Sequence, residues 1–522
     1  MTDARGTQNS PLATPSSWLS RAWSGLPDNS TRSTSHVIRD GAAAALAKAY
    51  QQRLTDHPGS TGVLLLMHGL DAFVARAILA RKAERSIDLQ YYMFHQDTVG
   101  RLLLVELLAA ADRGVRVRML IDDIYGEEAD AVWAALDAHA TIEVRLFNPF
   151  SRARSKYLQY VTRLRTINHR MHSKTYTVDN QATIVGGRNI GSEYFDADPD
   201  LAFTDLDVMA IGPVVPEVST EFDEYWNSEH AYPVSTLRRG GTGDDLDRLR
   251  ADLDAFRAKS STSVYVDALN HSALAAALKD HTVKLSWSKA RVIRDSSEKQ
   301  TLGKKNGRKE LLISQLAPYL LEAKEELIIV SPYFVPGNRA VEAMCQLRRQ
   351  GVRIRILTNS LASNDVAAVH AGYSRFRKAL LRGGVELYEL DEEIRKTEAE
   401  RFTWLPGMSK SSLHAKTMAC DRRVMFVGSF NFDQRSLYLN NEIGIIFDEP
   451  ETASQAFATF DANIDRVAFK VTLQGGKDGG GSLRWIKRKN GEETVYASEP
   501  YVGLWTRFVV GCIRLLPIDS ML

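Results

Sequence analysis

HSKTYTVDNQATIVGGRN (172–189) and HAKTMACDRRVMFVGSFN (414–431) share one pattern. Both fit His-x-Lys-x4-Asp, with His172, Lys174 and Asp179 in the first and His414, Lys416 and Asp421 in the second. Both then reach an asparagine seventeen positions after the histidine, Asn189 and Asn431. On a strand, residues i and i+2 point to the same side, so each stretch presents an imidazole and an ammonium together. One copy is a weak signal. Two copies at one spacing, in matching surroundings, are a strong one.

The surroundings do match. Ahead of the first stretch lie AERSIDLQYYMF (83–94), GRLLLVELLAAADRG (100–114) and VRVRMLID (115–122). Ahead of the second lie AKEELIIVSPYF (323–334), NRAVEAMCQLRRQG (338–351) and VRIRILTN (352–359). Each set reads strand, helix, strand. Gly114 and Gly351 stand where a helix end needs a left-handed residue, and the following strands alternate aliphatic with basic residues. Third strands follow in TIEVRLFNP (141–149) and GVELYEL (384–390). A repeat this long is a duplicated domain. The expected fold is α/β: two tandem α/β/α domains related by pseudo-twofold symmetry, sharing one active site. The expected divisions are a mobile tail and lead-in (1–60), a first domain (61–232), a connector with a basic loop (233–310), a second domain (311–466), and a linker, hairpin and amphipathic segment (467–522).

Two imidazoles and two ammoniums that converge across such an axis suit a phosphodiester. Ammoniums and asparagine amides hold the non-bridging oxygens and the charge that grows in the transition state. One neutral histidine attacks phosphorus; the other protonates the leaving alkoxide and then acts as base. The lysines supply the charge, so neither a metal nor a cofactor is expected. A buried imidazole needs a partner to fix its tautomer. The candidates are Asp205 and Glu442, 33 and 28 residues after His172 and His414. The catalytic set is thus His172, Lys174, Asn189, Asp205, His414, Lys416, Asn431 and Glu442. Asp179 and Asp421 read as structural, since Asp179-Asn180 sits at an expected hairpin turn. Tyr92 and Tyr333 end matching strands and either line the pocket or pack in the core. His169 reads as an ordinary surface histidine. Ser429 stands where the first stretch has Gly187, so only the second offers a hydroxyl there.

The bulk composition sets limits. Hydrophobic residues make up 44% and charged residues 25% of 522, the balance of a globular protein with two domains or more. A net charge of +2 makes any polyanion-binding patch local. Three dispersed cysteines, Cys345, Cys420 and Cys512, indicate neither a disulfide framework nor a zinc site and fit a reducing compartment. The first thirty residues predict no secretory signal, and no apolar run reaches membrane-spanning length. Two segments point to a membrane surface. SRARSKYLQYVTRLRTINHRMHSK (151–174) carries seven Lys or Arg and no acid, which attracts anionic headgroups or nucleic acid. YVGLWTRFVVGCIRLLP (501–517) places Arg507 and Arg514 on one face of an apolar helix. KQTLGKKNGRK (299–309) reads as a surface loop, LQGGKDGGGS (473–482) as a linker, and RWIKRKNGEETVYASEP (484–500) as a hairpin turning at Asn490-Gly491.

The paired motifs, with DLQYYMFHQDTVGRLLLVELLAAADRGVRVRMLIDD, FTDLDVMAIGPVV, LTNSLASNDVAAVHAGYSRFRKALL and GSFNFDQRS, resemble the phospholipase D superfamily and, within it, bacterial cardiolipin synthases of the C type. The resemblance runs from about Gly62 to the end. It implies phosphatidyl transfer through a phosphohistidine, with His172 as nucleophile and His414 as acid; the same residues would equally serve a phospholipase D that hydrolyses phospholipid to phosphatidic acid, or a nuclease. It also implies phosphatidylethanolamine as donor and phosphatidylglycerol as acceptor. The expected partners are phospholipids and the membrane surface, with room for an accessory protein and nucleic acid disfavoured. The expected place is peripheral, on the cytoplasmic face of the bacterial inner membrane.

Overall fold

The computed structural model describes residues 25–30, 32–39, 44–195, 205–238, 240–299, 311–364, 366–391, 413–475, 481–489 and 491–514. Residues 1–24, 31 and 40–43 of the expected tail and lead-in, the basic loop after Lys299, the middle of the glycine-rich linker, Asn490 of the expected turn and the last eight residues lie outside them.

The strands are β1 (Thr61–Leu66), β2 (Ser86–Tyr91), β3 (Arg116–Asp122), β4 (Ile142–Phe147), β5 (Thr175–Val178), β6 (Ala182–Gly186), β7 (Asp207–Ile211) and β8 (Ala231–Pro233), then β9 (Ser286–Arg294), β10 (Glu326–Val330), β11 (Arg353–Asn359), β12 (Glu386–Leu390), β13 (Thr417–Cys420), β14 (Val424–Gly428), β15 (Ile443–Asp448) and β16 (Ala468–Gln474), with β17 (Ser482–Lys489) and β18 (Glu492–Tyr496) added at the end. The first sheet runs β8-β4-β3-β2-β5-β6-β7-β1. The second repeats that order as β16-β12-β11-β10-β13-β14-β15-β9. In the first sheet β2, β3 and β4, and in the second β10, β11 and β12, pair in parallel, because helical crossovers join them, and β5 and β13, which follow the His-x-Lys residues, run against them. β9 belongs to both sheets: Ser286–Ser288 pair with β1, and Lys289–Arg294 pair with β15. The expected connector therefore supplies an integral strand. It also supplies helices Gly243–Lys259, Val264–His271 and Ala273–Lys279, whose apolar side chains join the first core.

Each sheet has helices on both faces. Gly69–Lys82 and Thr98–Asp112 cover the outer face of the first, and Leu312–Leu321 and Gly337–Arg349 that of the second. The inner faces carry Val214–Trp226 and Pro450–Val467 and meet in a third apolar cluster, where Val185 and Val208 of one half join Val427 and Ile445 of the other. Gly114 and Gly351 have φ of +89° and +97°, as their places after a helix require.

Asp179–Asn180 and Asp421–Arg422 all have positive φ, the geometry of a tight hairpin turn, between β5 and β6 and between β13 and β14. The carboxylate of Asp179 accepts from the backbone N–H groups of Glu84, Arg85 and Ser86, and that of Asp421 from Lys324, Glu325 and Glu326. Each aspartate pins its hairpin to the start of the neighbouring parallel strand, far from the histidines.

Candidate active site

His172 and Lys174 immediately precede β5; His414 and Lys416 immediately precede β13. The two strand entries meet where the halves touch. The backbone of His172 donates to the carbonyl of Asn441, and Asn441 donates to that of Arg170, both at 2.9 Å. His169, read as a surface residue, is half-buried and its Nδ1 lies 3.0 Å from the Leu439 carbonyl, so it too joins the halves.

The carboxylate pairing crosses between halves. His172 Nδ1 lies 2.8 Å from Glu442 Oε2, and His414 Nδ1 lies 2.6 Å from Asp205 Oδ2. Counting each carboxylate from the histidine of its own half had paired them the other way. The crossing follows from the sheets meeting face to face: Asp205, two residues before β7, reaches the partner half's strand entry, and so does Glu442, the residue just before β15. Neither half orients its own histidine. In each pair the carboxylate holds Nδ1, which leaves Nε2 for chemistry.

The two pairs differ. Glu442 accepts from His172, from the Ser429 hydroxyl at 2.5 Å and from the Ser436 hydroxyl at 2.8 Å. Its own backbone N–H donates to Asp295, which Lys299 holds at 2.8 Å. Asp205 is one methylene shorter, and the backbone of Gly187 lies so close that a Cβ there would collide with the carboxylate. This gives the Gly187/Ser429 difference a steric cause: the half that carries Asp has no room for a serine. Ser436, Asp295 and Lys299 gave no sequence signal, since nothing in the first half repeats them.

Burial pushes His172 down to about 4, against the pull of Glu442, with repulsion from Lys174 and Lys416 adding to the fall. Burial also lowers His414, helped by Lys416 and opposed by Asp205. Burial alone would raise both carboxyls, but attraction to their histidines and the hydrogen bonds they accept hold Asp205 and Glu442 below the usual range. Lys174 is driven well below an ordinary lysine, by burial first and by Lys416 as a like charge, with Glu442 pulling the other way. Each ammonium folds back on its own motif: Lys174 Nζ lies 2.6 Å from the His172 carbonyl and Lys416 Nζ 2.5 Å from that of His414. A mutually repelling, desolvated pair of lysines is a site short of negative charge, which a phosphodiester supplies.

Asn189 Oδ1 accepts from the Met93 N–H at 3.3 Å. Asn431 Oδ1 is buried and has no hydrogen-bond partner among the described residues. The Tyr92 ring stands edge-on to His172, centroids 4.9 Å apart, with Lys174 Nζ 5.3 Å from it. Tyr333 packs with Val335 and Val369 in a satellite cluster. The ring beside His414 is Tyr194, also at 4.9 Å and edge-on. Sequence reading missed Tyr194 because Ser436 holds the corresponding place in the other half.

The phospholipase D-like domain of cardiolipin synthases matches twice, over residues 78–226 and 316–464. The chain belongs to the cardiolipin synthase family of phospholipase D-like enzymes. It is 41% identical over 477 residues to cardiolipin synthase C of Escherichia coli K12, covering 91% of this chain and 99% of that one. It is 25% identical to cardiolipin synthase A of Pseudomonas syringae over 79% of this chain and 70% of the relative. Among solved structures, a phosphatidylserine synthase of Haemophilus influenzae matches 91% of this chain and all of its own at a TM-score of 0.52 and 13% identity, a likeness of fold. The family match falls on the two repeats, and each carries one histidine of the crossed pairs.

Proposed function

We propose that this member of the family makes cardiolipin by two successive displacements at phosphorus. The observation that carries the reading is the crossed pair of histidine–carboxylate contacts, which leaves two Nε2 atoms for one phosphodiester. Neutral His172 Nε2 attacks phosphorus of the donor lipid, forming a P–N bond as the bond to the headgroup oxygen breaks. His414, protonated, gives that oxygen its proton, and the headgroup alcohol leaves. An alcohol of the acceptor lipid then gives its proton to His414 while its oxygen forms a P–O bond and the P–N bond breaks. Lys174, Lys416 and the two asparagines stabilise the equatorial oxygens in both steps. The donor is phosphatidylethanolamine and the acceptor phosphatidylglycerol.

We place the enzyme on the cytoplasmic face of the inner membrane, with its three cysteines free. Among the described residues no helix is long and apolar enough to cross a bilayer. Helix Leu504–Ile513 supports a peripheral attachment. It buries Val510 against Leu361 and Ala371 while Trp505 and Phe508 are 75% and 62% exposed. The helix thus packs on the protein with one face and leaves the other open to lipid. Arg507 donates to the Glu499 carbonyl at 2.6 Å and clamps the helix down. Tyr157 and Leu158, in the basic segment, are further exposed apolar groups.

Vesicles of isotopically labelled phosphatidylethanolamine with phosphatidylglycerol test this reading. Labelled cardiolipin is expected by mass spectrometry. Labelled phosphatidic acid as the dominant product, with acceptor plentiful, would make the enzyme a hydrolase.

A further inference from the structure

The donor's headgroup must leave on the side away from His172, because displacement at phosphorus is in line. That is the His414 side. Ethanolamine carries its ammonium only two carbons from the departing oxygen, so that charge comes to rest near His414. The rings beside the two histidines have unlike neighbours. Tyr92, at His172, has the guanidiniums of Arg170 and Arg435 near it, along with buried Asp122. At His414, burial raises the Tyr194 phenol, a hydrogen bond with Asn189 opposes the rise, and the negative charges of Glu193 and Asp205 add to it. Asp205 is committed to His414. Glu193 is not.

Glu193 sits in the turn Ser192–Tyr194, which Asp97 pins by accepting from the Ser192 N–H at 2.5 Å. Around it are loops from the carboxyl ends of β2 and β3, the edge where parallel strands place ligands. His95 Nε2 lies 3.4 Å from Glu193 Oε1 and 3.4 Å from the Tyr125 hydroxyl. The hydroxyls of Tyr125 and Tyr194 both approach Met93 Sδ, at 3.3 and 3.6 Å. The cluster therefore runs from the ring beside His414 out to solvent, where the Glu193 side chain is 28% exposed and Tyr125 is exposed too. A carboxylate can accept about four hydrogen bonds, and the contact with His95 uses one of them. Lys156, a cation close by, is tied to the Tyr125 carbonyl at 3.1 Å.

Resting on the mechanism proposed above, we infer that Glu193, Tyr125, Tyr194 and Met93 form a subsite for the ammonium of the departing headgroup, and that Glu193 thereby selects a primary-amine donor. A primary ammonium offers three N–H donors, so it can bond to the carboxylate and to a phenol oxygen together. The electron-rich rings attract the same charge. The acceptor's glycerol is neutral. It enters from the same side in the second displacement and finds no charge partner in Glu193, so the subsite tells the departing group from the entering one.

The test uses the full-length enzyme and two soluble dihexanoyl donors in competition, phosphatidylethanolamine and phosphatidylpropanol, below their micelle concentrations. Propanol matches ethanolamine in size and replaces its ammonium by a methyl group. The ratio of the initial rates of ethanolamine and propanol release gives relative kcat/KM, whatever group later clears the phosphohistidine. In Glu193→Gln this ratio is expected to fall about tenfold, and in Tyr125→Leu about threefold. Rising ionic strength should lower it in the wild type and leave it flat in Glu193→Gln, because the contact is partly exposed and salt screens it. An unchanged ratio in Glu193→Gln that melts as a folded protein, or in Tyr125→Leu should the first variant fail to fold, overturns the inference. So does a wild-type ratio indifferent to salt. Phosphatidic acid as the main product, with a ratio that still responds to Glu193, would remove the transferase reading and leave the subsite standing. No release of either headgroup would refute the mechanism itself, and the subsite with it.

Discussion

If His172 is the nucleophile and His414 the acid–base, the crossed carboxylates have separable jobs. Glu442 serves bond formation to phosphorus and Asp205 serves proton transfer. The separation shows with a donor whose leaving group needs no proton, such as a short-chain phosphatidyl-p-nitrophenol. Glu442→Gln removes the charge 2.8 Å from His172 Nδ1 and leaves Ser429 and Ser436 facing an amide. Breaking a buried pair of this kind costs about 3–5 kcal/mol, roughly 10²–10⁴ in rate. It should strike with either leaving group, since attack on phosphorus is impaired in both. Asp205→Asn and His414→Ala should lose about 10²–10⁴ with an ethanolamine leaving group. With p-nitrophenolate they should still release one equivalent per active site in a burst and then slow, because the phosphohistidine forms and the base that clears it is absent in His414→Ala and has lost its carboxylate partner in Asp205→Asn. Stopped-flow absorbance reads the burst directly. A burst retained in Glu442→Gln and lost in Asp205→Asn would reverse the two histidines. Loss of the burst in every variant would mean that the two pairs do not act in separate steps.

Four further outcomes follow from the same contacts. In the proposed mechanism the free enzyme reacts with His172 neutral and His414 protonated, so kcat/KM should fall below about pH 4, as His172 protonates, and again on the alkaline side below pH 6.5, as the lowered His414 loses its proton; a bound phosphodiester anion favours protonated His414, so the alkaline limb of kcat should lie higher, and coincident limbs would contradict this electrostatic account. Gly187→Ala forces a Cβ into the Asp205 carboxylate and should cost roughly 10² in kcat by displacing His414, whereas an unchanged kcat would remove the steric explanation for the Gly/Ser difference. Asp179→Ala strips three backbone N–H groups of their acceptor and places alanine at positive φ, so it should lower stability by about 3 kcal/mol in denaturant unfolding while the folded fraction keeps its kcat; a loss of kcat with normal stability would give the aspartate a catalytic role. Replacing Trp505 and Phe508 together by Ser should release the enzyme from anionic vesicles without lowering its melting temperature, since both side chains are exposed, and full co-sedimentation of that variant would assign attachment to another surface.

Much of the architecture was legible because a repeat announces itself twice. The motif strands, Gly114 and Gly351, and the turns at Asp179 and Asp421 are all set by residues within a few positions of one another, and local rules reach that far. The crossing of Glu442 to His172 and Asp205 to His414 is not local. It depends on how the two sheets face each other, through side chains such as Val185 and Val427 that look like ordinary core residues. The same holds for β9: one run of residues pairs with β1 and then with β15, and nothing in its alternation tells a strand that ends one sheet from one that joins two. Tyr194 and Ser436 were missed for the opposite reason. Reading by symmetry rewards what both halves share, and these two occupy one repeat position with different residues.

That broken symmetry is also what tells the histidines apart. Duplication hands the site two equal imidazoles, but in the proposed mechanism one must stay aligned for attack while the other exchanges protons with two different alcohols in turn. Glu442 holds His172 through a carboxylate fixed by two hydroxyls, with Asp295 and Lys299 fixing its backbone. That ordering suits a nucleophile whose line of approach decides the rate. His414 rests on the shorter Asp205, beside Gly187, and its side chain is 22% exposed against 8% for His172, so that leaving and entering groups can reach it. The substitutions that distinguish the halves, Glu for Asp, Ser for Gly and Ser for Tyr, all fall within reach of one imidazole or the other. Divergence after duplication thus specialised the surroundings of the two histidines and left the histidines themselves unchanged.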